Sequence, residues 1–85
     1  LSRGAAQVIL AHNHPGGVAM PTYEDRFLTR KIATSLALVE IPVLDHLIFG
    51  RDEGQYSFRQ SNLMEEVYEE VAVRVNQDLT PYRKA

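Results

Sequence analysis

The chain has 85 residues and a mass of 9.6 kDa, which suits one small domain and excludes a large barrel or a two-domain enzyme. Apolar residues make up 45% and charged residues 24%, as in ordinary globular proteins, and no apolar run approaches the roughly 18 residues that cross a bilayer. There is no Cys, so any metal must be bound by His, Asp or Glu. The formal net charge of -2 gives no general attraction to nucleic acid or to a membrane surface.

The first segment of the chain predicts a strand that ends in two histidines. Residues 5–11 form a nearly unbroken apolar run, which is typical of a strand covered on both faces. His12 and His14 follow it, and the Pro-Gly-Gly sequence at 15–17 turns the chain away from the strand. The start at Leu1, without a secretory signal, indicates an internal cut in a cytoplasmic protein.

A first helix is predicted from Thr22 to about Glu40. Thr22 suits the N-cap position and Asp25 falls three residues later, as in a capping box. Apolar residues at helical spacing are expected to form its buried face, namely Leu28, Ile32, Leu36 and Val39. Pro42 then separates this helix from the next apolar run.

The second half of the chain predicts two strands and a helix. Residues 43–49 are typical of another inner strand, and residues 56–58 of a short third strand. A C-terminal helix is expected over 61–80, with a stripe of buried apolar residues at Leu63, Val67, Val71 and Val75. The order strand, helix, strand, strand, helix predicts a single layered α/β domain over residues 1–85.

Two groups of side chains invite a choice between structural and functional roles. Strand alternation places Asp45 and His46 on opposite faces, so one of them is expected to be buried and hydrogen-bonded. This structural role is favoured over a role in lining a groove. Phe27, Phe49 and Phe58 are expected in the core, because they do not alternate with a basic run as base-stacking aromatics do.

The two histidines and the start of the first helix form a candidate metal site. Side chains two apart in a strand share a face, so His12 and His14 project together, and the turn lets Asp25 approach them. Two nitrogens and one oxygen suit zinc, whose catalytic sites have three protein ligands and an open position for water. A bland alternative is a pair of surface histidines beside an ordinary helix start. For Thr22 and Asp25 the roles of helix cap and site residue are compatible, because a hydroxyl that accepts a bond from an amide can still donate its own hydrogen, and a carboxylate has one oxygen for a metal and another for a backbone amide.

The motifs that carry a family resemblance are HNHPGG at 12–17, PTYED at 21–25, VLDHLI at 43–48 and YSF at 56–58. Over roughly residues 5–60 the chain resembles the RadC family, whose members are known as DNA repair proteins. RadC domains are similar to the JAMM (MPN-type) zinc metalloproteases, which have an upstream Glu and then His-x-His, seven residues, Ser, two residues and Asp. In this chain Thr22 and Asp25 fall at the positions of that Ser and Asp.

The resemblance implies a cytidine-deaminase-like α/β fold whose N-terminal part is missing from this chain. It also implies zinc bound by His12, His14 and Asp25, with Thr22 in the place of the serine that assists the tetrahedral intermediate. The implied substrate is a peptide or an isopeptide.

Three departures from the family pattern bear on activity. Thr22 replaces the usual Ser, Gly16 stands where RadC sequences usually have Ser, and no Glu precedes His12. A carboxylate that moves the proton of an activated water is worth about 10²- to 10⁴-fold in rate. We therefore expect the intact protein to hydrolyse amide or isopeptide bonds, and residues 1–85 alone to be inactive.

The alternative function is a non-enzymatic module that recognises protein or DNA. Arg26, Arg30 and Lys31 could contact phosphate, but a solvated helix face is favoured because the whole chain is acidic. Missing strands would leave apolar surface and a strand edge uncovered, so a homo-oligomer is expected. No membrane partner is expected.

Overall fold

The computed structural model describes residues 6–75. Its elements are strand β1 (Val8–Asn13), helix α1 (Tyr23–Ala37), strand β2 (Val43–Phe49), a 3-10 turn at Arg51–Glu53, strand β3 (Gln55–Ser57) and helix α2 (Leu63–Val75). The predicted order of strands and helices and the mixed α/β class are confirmed. The predicted end of the last helix, over residues 76–80, lies outside the described residues. No helix in the described part is long and apolar enough to cross a membrane.

The three strands form one sheet in the order β1-β2-β3. Strands β1 and β2 are parallel and are connected through α1, whereas β2 and β3 are antiparallel. His12 is in register with Ile48, and Asn13 with Phe49. Because the carboxyl ends of β1 and β2 lie side by side, the loop after β1 meets the turn after β2.

The hydrophobic core lies between one face of the sheet and the two helices. Its fully buried members include Ile48, Phe58 and Tyr68. The Tyr68 hydroxyl accepts a hydrogen bond of 2.7 Å from the backbone N–H of Val43, which ties α2 to the start of β2. The predicted face of α2 is confirmed at Leu63, Val67 and Val71, which are buried, while Val75 packs at its margin.

The buried face of α1 differs from the predicted one. The buried residues are Asp25, Thr29, Ala33 and Ala37, whereas Ile32 and Leu36 are only partly buried. Leu28 and Val39, predicted to be buried, are 44% and 49% exposed. Small side chains at every fourth position let α1 lie close to the sheet and to α2, so the larger apolar residues sit beside the contact.

The other face of the sheet is open within residues 6–75. Burial alternates along β1, and Ile9 is 59% exposed. On the neighbouring strand Phe49 is 39% exposed, against the expectation that it belongs to the core. The expectation that β1 is covered on both faces is thus wrong for the described residues. Residues of both helices pack on the same face of the sheet and form one continuous core there.

Candidate metal site

The structure brings His12, His14 and Asp25 together at the end of β1 and the start of α1. His12 Nδ1 lies 2.9 Å from Asp25 Oδ1, and His14 Nε2 lies 3.1 Å from Asp25 Oδ2. One ligand atom from each of the three residues lies within 4.8 Å of the others. The three side chains named from sequence spacing therefore converge, and their role as metal ligands stays a prediction.

Asp25 is fixed by the predicted capping box, which the structure confirms. The backbone N–H of Thr22 donates to Asp25 Oδ2 at 2.8 Å, and the backbone N–H of Asp25 donates to Thr22 Oγ1 at 3.1 Å. Asp25 is 3% exposed. The helix start thus holds one carboxylate in a single orientation towards both histidines.

The environment of Asp25 favours its ionised form. Burial acts to raise the pKa of this carboxyl, but the hydrogen bonds with Thr22 and the nearby charges of His12 and His14 together lower the pKa below its usual value. The position in the first turn of α1 acts in the same direction, because the positive end of the helix dipole stabilises an anion. A metal ligand must be in this ionised form.

His14 is oriented by a backbone carbonyl that the sequence did not reveal. Its Nδ1 lies 3.1 Å from the carbonyl oxygen of Val18. A carbonyl only accepts hydrogen bonds, so Nδ1 carries the proton and donates it, and Nε2 is left with the lone pair of the neutral ring. Metal-ligating histidines are oriented in the same way, by a bond from the ring nitrogen that does not bind the metal.

The chemistry of these donor atoms fits a cation. In the neutral ring the lone pair of His14 Nε2 faces the carboxylate oxygen of Asp25 at 3.1 Å. Two lone pairs repel at this distance, so a proton or a metal ion between them is required to stabilise the arrangement. Neighbouring ligand atoms of tetrahedral zinc lie about 3.3 Å apart, given bonds of about 2.0–2.1 Å. Here the two nitrogen–oxygen distances of 2.9 and 3.1 Å go to different oxygens of Asp25, and one ligand atom from each of the three residues lies within 4.8 Å of the others.

A buried histidine supports the ring of His12 from behind. The His46 ring stacks on His12 with centroids 5.8 Å apart, and on Phe58 with centroids 4.7 Å apart. His46 is 1% exposed, which confirms that one residue of the Asp45–His46 pair is buried. Asp45 has a separate structural role, because its carboxylate accepts hydrogen bonds from the hydroxyl of Ser57 and the backbone N–H of Arg59.

Thr29 connects this buried histidine to the first turn of α1. Its hydroxyl donates to the backbone carbonyl of Asp25 at 2.8 Å and lies 2.5 Å from His46 Nδ1. Since the only hydroxyl hydrogen goes to that carbonyl, His46 Nδ1 is the donor to Thr29. Burial, the largest cause, and the charge of His12 lower the pKa of His46, so the ring is neutral near pH 7.

Thr22 lies at the rim of the site. It is exposed, and its hydroxyl oxygen accepts the N–H of Asp25 as expected. The hydroxyl hydrogen therefore remains available to a further acceptor. This arrangement is compatible with the role that the resemblance implies for Thr22, which is to assist the tetrahedral intermediate.

Two of the three basic residues of α1, Arg26 and Arg30, make ion pairs with α2. Arg30 contacts Glu70 at 2.8 Å, and Arg26 contacts Glu66 at 3.7 Å, so the acidic face of α2 meets both arginines. The side chain of Lys31 lies over the Phe27 ring. These contacts favour a structural role for the two arginines, and binding of DNA stays a prediction.

The chain is similar in sequence to known proteins over most of its length. Residues 1–63 match the model of the RadC-like JAB domain. A UPF0758 protein of Leptothrix cholodnii is 50% identical over 64 residues, which are 75% of this chain and 28% of that protein. A UPF0758 protein of Haemophilus influenzae is 52% identical over 60 residues, or 71% of this chain and 27% of that protein. The chain thus spans about a quarter of the length of these relatives, and no solved structure matches it significantly.

Proposed function

The chain belongs to the RadC-like JAB domain family, and from this membership we propose that it forms the metal-binding part of a zinc hydrolase of amide or isopeptide bonds. The JAB domain family is generally metal-dependent. The observation that carries the proposal is the convergence of two imidazole nitrogens on one buried carboxylate, with His14 Nδ1 bonded to the Val18 carbonyl so that Nε2 faces the carboxylate. Ionised Asp25 and neutral imidazoles are the forms in which these side chains bind metal.

In this proposal His12, His14 and Asp25 would hold the zinc ion. Zinc in such a site supplies Lewis acidity, which polarises a carbonyl and makes water a nucleophile at neutral pH. The chain's own residues orient this chemistry. The Val18 carbonyl and the His46 ring hold the two histidines, and the capping box holds the carboxylate.

Thr22 is the proposed donor to the developing oxyanion of the substrate. Its hydroxyl is anchored through the oxygen by the N–H of Asp25, so the hydroxyl hydrogen can be directed to a carbonyl oxygen that gains negative charge. One donor of this kind is worth about 10²- to 10³-fold in kcat.

The proton carrier is proposed to lie outside these 85 residues. The JAMM pattern has it on a Glu upstream of His12, and residues 1–11 contain none. The matched segment covers 28% of the Leptothrix cholodnii protein and 27% of the Haemophilus influenzae protein, so those relatives have room for such a residue outside it. The chain alone is then a metal-binding unit without hydrolytic activity.

The test compares zinc binding and hydrolysis in this chain and in a longer protein in which a Glu-bearing segment precedes it. Native mass spectrometry gives the zinc stoichiometry, and peptide and isopeptide substrates report activity. We expect one zinc ion in both proteins and hydrolysis only in the longer one.

Variants of the longer protein assign the ligands. His12→Ala and Asp25→Asn are expected to abolish stoichiometric zinc binding, whereas Asn13→Ala is the matched control, because Asn13 lies between the histidines and is exposed on the other face. Absence of zinc from both wild-type proteins would contradict the proposal. Zinc without hydrolysis in the longer protein would instead favour the non-enzymatic module.

A further inference from the structure

The turn after β2 packs against the loop that orients His14. The backbone N–H of Arg51 donates to the carbonyl of Gly17 at 2.7 Å, and the N–H of His14 donates to the carbonyl of Phe49, also at 2.7 Å. These bonds join the ends of the two parallel strands. Between them lies Gly50, which packs against the backbone of residues 17–19.

Gly50 is needed at this point for space and not for backbone conformation. Its φ of -109° and ψ of -169° are extended values that any residue adopts. A Cβ atom at this position would lie 2.5 Å from the N of Ala19, 2.8 Å from the carbonyl carbon of Val18 and 2.9 Å from the carbonyl oxygen of Gly17. All three are backbone atoms, so a side chain at position 50 would displace the loop.

The Val18 peptide unit links this contact to the metal site, because its carbonyl oxygen accepts the Nδ1–H bond of His14. We propose that Gly50 and the N–H of Arg51 form a clamp that positions the Val18 carbonyl, and through it the His14 ring, for metal binding. This inference rests on the proposed function of the site. Gly50 is thus a positioning residue that acts on His14 through the loop.

The first test replaces Gly50 by Ala and measures zinc affinity by competition with a chromophoric chelator. Loss of a partner that orients a metal ligand typically costs 10- to 100-fold in affinity, and we expect Gly50→Ala to fall in that range. Gly54→Ala is the matched control in the same turn, where a Cβ would meet the Arg51 carbonyl oxygen at 3.3 Å and the Ala19 side chain at 3.5 Å. Its loss of affinity is expected to be far smaller, and equal losses in the two variants would overturn the proposal.

A second pair of variants acts on the other half of the clamp, the N–H of Arg51, and it decides the matter if Gly50→Ala fails to fold. Arg51→Pro deletes the N–H that bonds Gly17 and puts a ring carbon in the place of its hydrogen, so the Gly17 carbonyl and the loop that carries it must move away. Arg51→Ala keeps that N–H and removes only an exposed side chain. We expect Arg51→Pro to weaken zinc binding and Arg51→Ala to leave it unchanged; unchanged affinity in Arg51→Pro would overturn the clamp.

Two NMR signals separate this inference from the proposal about function. In the metal-free protein the Arg51 amide should exchange slowly with water, and Gly50→Ala should make it exchange faster. In the zinc-loaded protein the His14 Nδ1–H signal should persist in wild type and in Gly54→Ala, and broaden in Gly50→Ala. If the wild-type protein binds no zinc, the proposed function is refuted. The clamp can then still be tested in the metal-free protein, by the exchange rate of the Arg51 amide and by the His14 Nδ1–H signal. An unchanged His14 signal in Gly50→Ala would refute the clamp alone.

Discussion

The two faces of the sheet differ in what lies against them. On the helix side Ile48 and His46 are no more than 1% exposed, and the ring stack of Phe58, His46 and His12 leads from the core to the candidate site. On the open side Ile9 is 59% exposed and Phe49 is 39% exposed. The comparison shows that the site is built on the well-packed face, where rotamers are fixed by neighbours.

The strongest way to test the difference is a pair of identical substitutions on phenylalanine. Phe58→Ala deletes a fully buried ring and is expected to lower the free energy of unfolding by about 3–5 kcal/mol. Phe49→Ala deletes a half-exposed ring and should cost clearly less, because less apolar surface returns to water. Urea unfolding of both variants measures the difference, and similar losses would show that the open face is covered in solution.

The helix cap beneath the site is the next largest effect. Thr22→Ala removes the side-chain acceptor of the Asp25 N–H and should lower the free energy of unfolding by about 0.5–2 kcal/mol. Thr34→Ala is the matched control, because Thr34 lies inside α1 and its hydroxyl donates to a carbonyl within the same helix. Thermal unfolding should rank Thr22→Ala well below Thr34→Ala in stability.

Acid should destabilise the buried side through His46. Its pKa in the folded protein lies below the usual 6.5, chiefly because burial disfavours the charged ring. As the pH falls below about 6.5, His46 binds a proton in the unfolded chain but not in the folded protein. The free energy of unfolding therefore decreases until the pH reaches the pKa of His46 in the folded protein.

The measurement is the pH dependence of urea unfolding with a chelator present, in wild type and in His46→Asn. The variant is expected to be less stable at pH 7 but to lose less stability between pH 6.5 and 5. Titration of the other histidines is common to both proteins, so parallel curves would argue against a depressed pKa at His46.

The open face is expected to affect association more than folding. We predict that the chain self-associates through this face, and that Ile9→Lys lowers the sedimentation coefficient while changing the free energy of unfolding by less than about 0.5 kcal/mol. Val73→Lys makes the same change at an 81% exposed position on α2 and should leave the sedimentation unchanged. A monomeric wild-type chain would contradict this prediction.

Local patterns made the candidate site predictable to a large extent. The His-x-His spacing on a strand and the Thr-x-x-Asp helix start each impose short-range geometry, and both are found as expected. The prediction of the buried face of α1 was wrong, because periodicity detects large apolar residues whereas close packing buries the smaller Thr29, Ala33 and Ala37. The prediction that β1 is covered on both faces was wrong, because the apolar sequence of a strand does not reveal on which side of the sheet the helices lie.

The sequence by itself determined the order of elements, the cap of α1 and the three candidate ligands, because each depends on residues a few positions apart. Only the tertiary structure decided what supports those ligands. The Val18 carbonyl, the space at Gly50 and the His46 ring come from segments that meet solely through the parallel pairing of β1 and β2. A backbone carbonyl has no residue-type signature, and a glycine without a positive φ shows its importance only when the atoms around it are known.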